Sequence, residues 1–330
     1  MDKGKDQWTT VKSRLPIPPE ALQEKSGQRR RKKPIRESIL SLPPESSRIR
    51  AVFLAFSGAI AGDAYVRGVC ARMSIAIVRL RDHRVGIFNY RAEAPAALLE
   101  HLDALAGKSG HPEVATAPWV TAGCSTTTLT ARNIAYWKPE RTICAISFAG
   151  GNLHQNTDPT LTLKGVPFLC ITGEWERYGP EGGIRPEYGL QTQWVMIREQ
   201  LLRWRAKDPS YLVSLLVVPE KDHARWDSCV SRYTGRFIAK ALDARVPAST
   251  GNGPAICRPI DPTSGWLTCR DINTPRHPPA PYAEFGGKPE KAFWHFDRIL
   301  AEEEGVVHAP LWLPDPSREN PVPADWPRKR

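Results

Sequence analysis

The sequence predicts an α/β fold with a mostly parallel central sheet flanked by helices, and three observations carry the prediction. Short apolar runs such as AVFLAF at 51–56 and TICAISF at 142–148 lack the polar alternation of half-exposed strands, so they suit strands buried on both faces. Between such runs lie stretches with helical spacing, of which Leu98, Leu99, Leu102 and Leu105 are one. That alternation implies parallel strands joined by right-handed crossovers, with helices on both faces. Finally, 330 residues of which 41% are hydrophobic and 25% charged can bury one substantial core.

Residues 1–48 are rich in Pro, Lys, Arg, Ser and Glu and read as a basic, mobile tail with one short strand near 39–42. The strand at 50–56 ends in the loop Ser57-Gly58-Ala59-Ile60-Ala61-Gly62-Asp63, where Asp63 is placed to cap a helix over 64–73. A second strand at 75–78 and an extended stretch at 85–88 follow, and after Pro95 a helix ends near Gly107. The run at 118–123 is the next strand, and Ala131, Ile134 and Ala135 belong to a helix behind it. Further strands are expected at 142–148, 166–172 and 211–218, with helices over 190–206 and 227–244. The segment 177–189 is too long for a tight connection and suits a pocket rim. These elements bound a domain at 49–245. Residues 246–330 read as a loop-rich, Pro- and Gly-containing C-terminal extension with one helix near 290–304.

The net charge of +11 raises the question of a polyanionic partner. Residues 1–36 hold eleven Lys and Arg against four Asp and Glu, so +7 of that total belongs to the tail. The run Arg29-Arg30-Arg31-Lys32-Lys33 has no aromatic interleaving, and a solvated tail without a specific nucleic-acid partner is expected. No apolar run approaches the roughly 18–20 residues of a membrane span, and the N-terminus lacks the apolar core of a signal peptide. As written the chain reads as cytoplasmic, and as exported if its start is incomplete. Of seven cysteines, Cys70, Cys124, Cys144, Cys170 and Cys229 mostly sit in apolar runs and read as free thiols. Cys257 and Cys269 lie in a loop-rich region and could pair only in an exported protein, free thiols being the leading reading. His83, His101, His111, His154, His223, His277, His295 and His308 are scattered without metal-ligand spacing, so neither a metal nor any other cofactor is expected.

The chemistry points to residues 118–137, PWVTAGCSTTTLTARNIAYW. Gly123 stands two positions before Ser125, between a strand end and a helix start, as in a nucleophile elbow. Such a turn lifts the serine oxygen above the sheet and aims fresh helix N–H groups at a developing oxyanion. Thr127 occupies the place of the second glycine of G-x-S-x-G, and its β-branched side chain is expected to open the turn slightly. Cys124 as nucleophile would put Ala122 in the glycine place, a poorer register. Glu176, with Glu174 in reserve, follows the strand at 166–172, and His223 follows the one at 211–218. Serine, acid and histidine at successive strand ends suit proton transfer through an imidazole whose tautomer a carboxylate fixes. In open parallel sheets ligands bind outside those same ends. Trp175, Tyr178 and Trp226, with Arg177 and Arg225 nearby, are candidates for a substrate rim.

On FLAFSGAIAGD, TAGCSTTT, PERTICAISFAGG, VPFLCITGEWE and VVPEKDHARW, residues 49–244 resemble the α/β-hydrolase superfamily, and more closely its dienelactone-hydrolase-like and polyhydroxybutyrate-depolymerase-like esterase branch. The resemblance implies an α/β-hydrolase fold and a serine carboxylesterase acting on a small-molecule or polymer-attached ester. It implies Ser125 as nucleophile, His223 as general base, and Glu176 as acid in the fourth place of a G-x-x-D/E pattern. The implied oxyanion hole uses the N–H of Thr126 and one from Ser57, Gly58 or Ala59. The competing reading is a binding protein of the same fold whose altered elbow has lost activity. Which ester is bound, and how many chains assemble, the sequence leaves open.

Overall fold

The computed structural model describes residues 7–17, 35–86, 88–89, 93–150, 163, 165–173, 193–218, 223, 226–247, 256–269 and 277–307. Eight strands form the central sheet: β1 (Thr9–Arg14), β2 (Arg36–Leu42), β3 (Ala51–Ala55), β4 (Ile75–Asp82), β5 (Trp119–Cys124), β6 (Thr142–Phe148), β7 (Phe168–Gly173) and β8 (Val213–Val218). Their spatial order is β1-β2-β4-β3-β5-β6-β7-β8. The pairs β1/β2 and β2/β4 are antiparallel, and from β4 to β8 every pair is parallel. Strands β3, β6, β7 and β8 are buried along their whole length, as expected for strands covered on both faces.

Nine helices among the described residues accompany the sheet: α1 (Gly58–Gly62), α2 (Ala64–Arg72), α3 (His83–Gly86), α4 (Ala94–Ser109), α5 (Glu113–Thr116), α6 (Thr128–Trp137), α7 (Gln193–Lys207), α8 (Ser228–Arg245) and α9 (Arg298–Val307). None of them is long and apolar enough to cross a membrane. One face of the sheet packs Phe53, Ile77, Val120 and Ile146 against Val66 of α2 and Phe237 and Ile238 of α8. The other face packs Val52, Leu54 and Val78 against Leu98, Leu102 and Leu105 of α4. The periodicity at 98–105 is thus the core stripe of α4, which stops at Gly110 with φ +72°, a left-handed C-terminal residue.

The structure differs from the sequence-based expectation in three places. The stretch taken as a tail supplies β1 and β2, whose Ser13, Ser38 and Leu40 face inward. Val85 and Gly86, expected to be extended, lie in α3, because Asp82 Oδ1 accepts the Arg84 N–H at 2.9 Å and starts a helical turn. The helix expected over 290–304 is divided. Ala292–His295 is strand β11, buried on both faces, and α9 begins only at Arg298, where Asp297 Oδ1 accepts the Leu300 N–H at 3.0 Å. Cys257 and Cys269 are both free and pack in different clusters.

The C-terminal extension therefore has a sheet of its own, in the order β10 (Ala280–Pro281), β9 (Trp266–Cys269), β11. Polar contacts fix it to the domain. Ser214 Oγ of β8 donates to the Trp294 carbonyl at 2.5 Å. The fully buried His295 lies between Tyr233 Oη (3.0 Å from Nδ1) and Thr268 Oγ1 (2.9 Å from Nε2). Arg205, also fully buried, donates to the carbonyls of Pro289 and Tyr211. Burial lowers its guanidinium to about 10.

Candidate active site

Ser125 opens a 3-10 turn, Ser125–Thr127, that joins β5 to α6. Its φ is +55°, a left-handed conformation in which non-glycine residues are strained. The surrounding packing explains why the chain holds it there. A Cβ on Gly123 would collide with the Thr127 carbonyl and stand 2.7 Å from Thr128 N, so the helix start lies directly on the strand end. A Cβ on Gly150, just beyond β6, would collide with the Thr128 side chain. The turn is therefore pressed between two strand ends at positions that only glycine fits. A strained serine on a sharp strand-to-helix turn, at the C-terminal edge of this mostly parallel sheet, decides the architecture. The chain has the α/β-hydrolase fold.

Thr127 does not open this turn. Its Oγ1 accepts the Cys124 N–H at 2.9 Å and lies 2.7 Å from the Cys124 carbonyl and 3.1 Å from the Phe56 carbonyl. The hydroxyl ties the elbow to itself and to the end of β3, and the closest backbone approach falls at Gly123. The Cys124 side chain accepts the Thr127 N–H, completing a reciprocal cap. Thr128 Oγ1 adds a bond to the Ser125 carbonyl at 2.7 Å.

Around the elbow, Ser57, Gly58 and Ala59 enter α1 directly after β3, Gly58 and Ala59 exposed and Ser57 half-buried. The first N–H groups of such a helix have no intrahelical acceptor. Thr126 is exposed at the start of the 3-10 turn. His223 lies on an exposed turn beyond β8. Glu174, Glu176, Trp175 and Tyr178 follow the C-terminal end of β7 in sequence and lie outside the described residues.

Strands β5 and β8 are three places apart in the sheet, about 14 Å at some 4.8 Å per strand. Trp226, beyond β8, reaches back over two of those places. The Trp226 ring packs edge-on against Phe148 of β6, with centroids 5.0 Å apart and planes at 90°, and Phe148 is the register partner of Cys124, the neighbour of Ser125. Trp226 Nε1–H lies 3.1 Å from Asp63 Oδ2 and 2.8 Å from Ser231 Oγ. Asp63 also caps α2 as expected, its Oδ1 accepting the Val66 N–H at 2.8 Å. The link between Asp63, Trp226 and Ser231 was not evident in the sequence, where 163 residues separate the first two.

A serine, a histidine and an aspartate do meet elsewhere in the described residues. His101 Nδ1 lies 3.1 Å from Ser38 Oγ, and its Nε2 lies 2.9 Å from Asp82 Oδ2. Ser38 and His101 are fully buried and Asp82 nearly so, so no substrate reaches them. Burial alone would raise the Asp82 carboxyl, but bonds from His101 and Arg84 overcome it and hold the group well below the usual carboxylate range. This is a structural tie between β2, β4 and α4. The buried thiols are equally inert, Cys70 and Cys170 both being pushed up to about 12 by burial.

No protein-family model matches the chain, and no curated protein is similar to it. Solved structures that align with it include LpqC, a poly(3-hydroxybutyrate) depolymerase from Bordetella parapertussis, at 15% identity and TM-score 0.45 over 74% of this chain and 93% of that one. An S-formylglutathione hydrolase from Agrobacterium tumefaciens aligns at 13% identity and TM-score 0.44, over 72% and 94%. A dienelactone hydrolase from Anabaena variabilis aligns at 16% identity and TM-score 0.40, over 72% and 98%.

Proposed function

We propose that the protein is a serine hydrolase that cleaves a carboxylic ester through an acyl-enzyme. Ser125 is the nucleophile, His223 the general base and Glu176 the acid, with Glu174 as the alternative. The observation that supports this best is the left-handed backbone of Ser125 over the closely packed Gly123. Glu45, Ser74 and Ala149 share that left-handed backbone; among the described residues Ser125 is the one of the four that joins a strand end directly to a helix start, the context in which such strain serves chemistry.

In this reading Ser125 Oγ attacks the ester carbonyl carbon while its proton passes to the His223 imidazole. The oxyanion is met by the Thr126 N–H and by an N–H from the segment Ser57–Ala59. Collapse breaks the C–O bond, and the alcohol leaves with the proton from the imidazolium. Water, deprotonated by the same imidazole, then releases the acid and restores Ser125. The glutamate holds the imidazole tautomer throughout. No step calls for a metal or cofactor. The substrate is a small-molecule or polymer-attached ester, with Trp175, Tyr178 and Trp226 as rim candidates.

Turnover of a panel of activated and natural esters tests the assignment. Ser125→Ala and His223→Ala are each expected to lower kcat by on the order of 10³-fold or more with the fold intact. Glu176→Gln is expected to cost more than Glu174→Gln, and the reverse ranking would transfer the role. Near-normal turnover in either of the first two variants would sink the triad. A well-folded wild-type protein that turns over no ester would leave the binding-protein reading.

A further inference from the structure

The contacts at Asp63 join parts of the chain that the reaction proposed above needs together. Asp63 ends the segment that follows β3, Trp226 stands three residues after His223, and Ser231 lies in the first turn of α8. Ser231 Oγ lies 2.6 Å from Asp63 Oδ2 and 2.8 Å from the Asp227 carbonyl. Its one hydrogen goes to the carboxylate, the shorter and charge-assisted bond, and leaves an oxygen lone pair for the Trp226 indole N–H at 2.8 Å. The other carboxylate oxygen is engaged by the Val66 N–H. Both carboxyl oxygens therefore accept. Ser231 is 4% exposed, so water competes poorly for these bonds.

We propose that Asp63 is a positioning residue that, through Trp226 and Ser231, holds the His223-bearing stretch between β8 and α8 against the segment after β3. The proposal rests on the serine-hydrolase reading for its catalytic consequence. Phe148 fixes the Trp226 ring from the sheet side. Asp227 fixes the next residue by accepting the N–H groups of Cys229 and Val230 at 3.0 Å. Three residue steps of at most about 3.6 Å each confine the His223 backbone to within roughly 11 Å of that anchor. Loosening the anchor widens the range of positions the imidazole can take relative to Ser125, and a displacement on the order of 1 Å can cost about 100-fold in rate.

The test compares wild-type protein with Asp63→Asn and Trp226→Phe. Asparagine can still cap α2, but its amide nitrogen cannot accept from Ser231 and Trp226. Phenylalanine keeps a ring against Phe148 and loses the N–H. Amide hydrogen exchange followed by mass spectrometry is expected to quicken about tenfold or more in peptides covering 219–227 and to stay unchanged in α4. In both variants kcat is expected to fall by about 10- to 100-fold, and in Asp63→Asn, which leaves the Trp226 ring in place, KM is expected to stay within about twofold. Unchanged exchange at 219–227 overturns the proposal. Faster exchange with unchanged kcat also overturns it, since the tie would then be structural alone. A wild-type protein that neither turns over esters nor is labelled at Ser125 by a fluorophosphonate sinks the serine-hydrolase reading, and the exchange comparison still decides whether Asp63 holds this stretch.

Discussion

At the level of single residues, the turn at Ser125 is set by a glycine and a hydroxyl on either side of it. Gly123 has no room for a β-carbon because the Thr127 carbonyl and Thr128 N occupy it. Gly123→Ala must push backbone against backbone, so a loss of about 1–3 kcal/mol or more is expected in thermal or denaturant unfolding, together with most of any esterase activity. Thr127 separates two accounts of the elbow. If its bulk mattered, a smaller residue would help. The bonds to Cys124 and Phe56 predict instead that Thr127→Ser stays near wild type in kcat and stability. The isosteric Thr127→Val should lose about 1–3 kcal/mol and a larger share of kcat. Equal behaviour of the two variants would remove the hydroxyl from the account. The glycine and the serine were legible in the sequence because the motif fixes their spacing. The role of Thr127 was not, because a β-branched residue in the motif's second glycine place reads as bulk, while its hydroxyl bonds back to Cys124 and to a carbonyl 71 residues away.

At the level of elements, what the sequence disclosed follows burial. Strands β3, β6 and β8, buried on both faces, read as unbroken apolar runs. Strand β1, which presents one buried residue and mostly exposed ones, reads as polar tail. Strand β11 is apolar, but it stands between Lys291 and Asp297 beside a helix-forming stretch, and local pattern merged the two. Its anchoring predicts that His295→Ala leaves the buried Tyr233 and Thr268 hydroxyls without this partner and costs about 2–5 kcal/mol, measurable as a lowered unfolding midpoint. The β2/β4/α4 tie has a pH signature. The Asp82 carboxyl is held below its ordinary value of about 3.9. Its contribution is therefore complete above that value and is lost as pH falls below it toward the folded-state value. Asp82→Asn should be less stable at neutral pH and should lose less of its remaining stability between about pH 5 and 3 than wild type. Parallel Tm profiles for the two proteins would contradict this.

At the level of the whole molecule, the fold brings to one edge of the sheet segments that the sequence places far apart. The β3 end supplies Ser57 to Asp63, β5 supplies Ser125, and the chain after β8 returns through Trp226 to both β6 and Asp63. The parallel sense of the strands and the helices on both faces could be inferred from the alternation of apolar runs and helical stretches. The return of the last segment could not, because it depends on an aromatic contact and a carboxylate that no local pattern links. The central claim is that Ser125 is an activated nucleophile. The most direct measurement is intact-protein and peptide mass spectrometry after exposure of the folded full-length chain to a fluorophosphonate. One covalent adduct per chain is expected, on Ser125, absent in Ser125→Ala and formed far more slowly in His223→Ala. A folded protein that acquires no adduct, or acquires it on another residue, would contradict the claim.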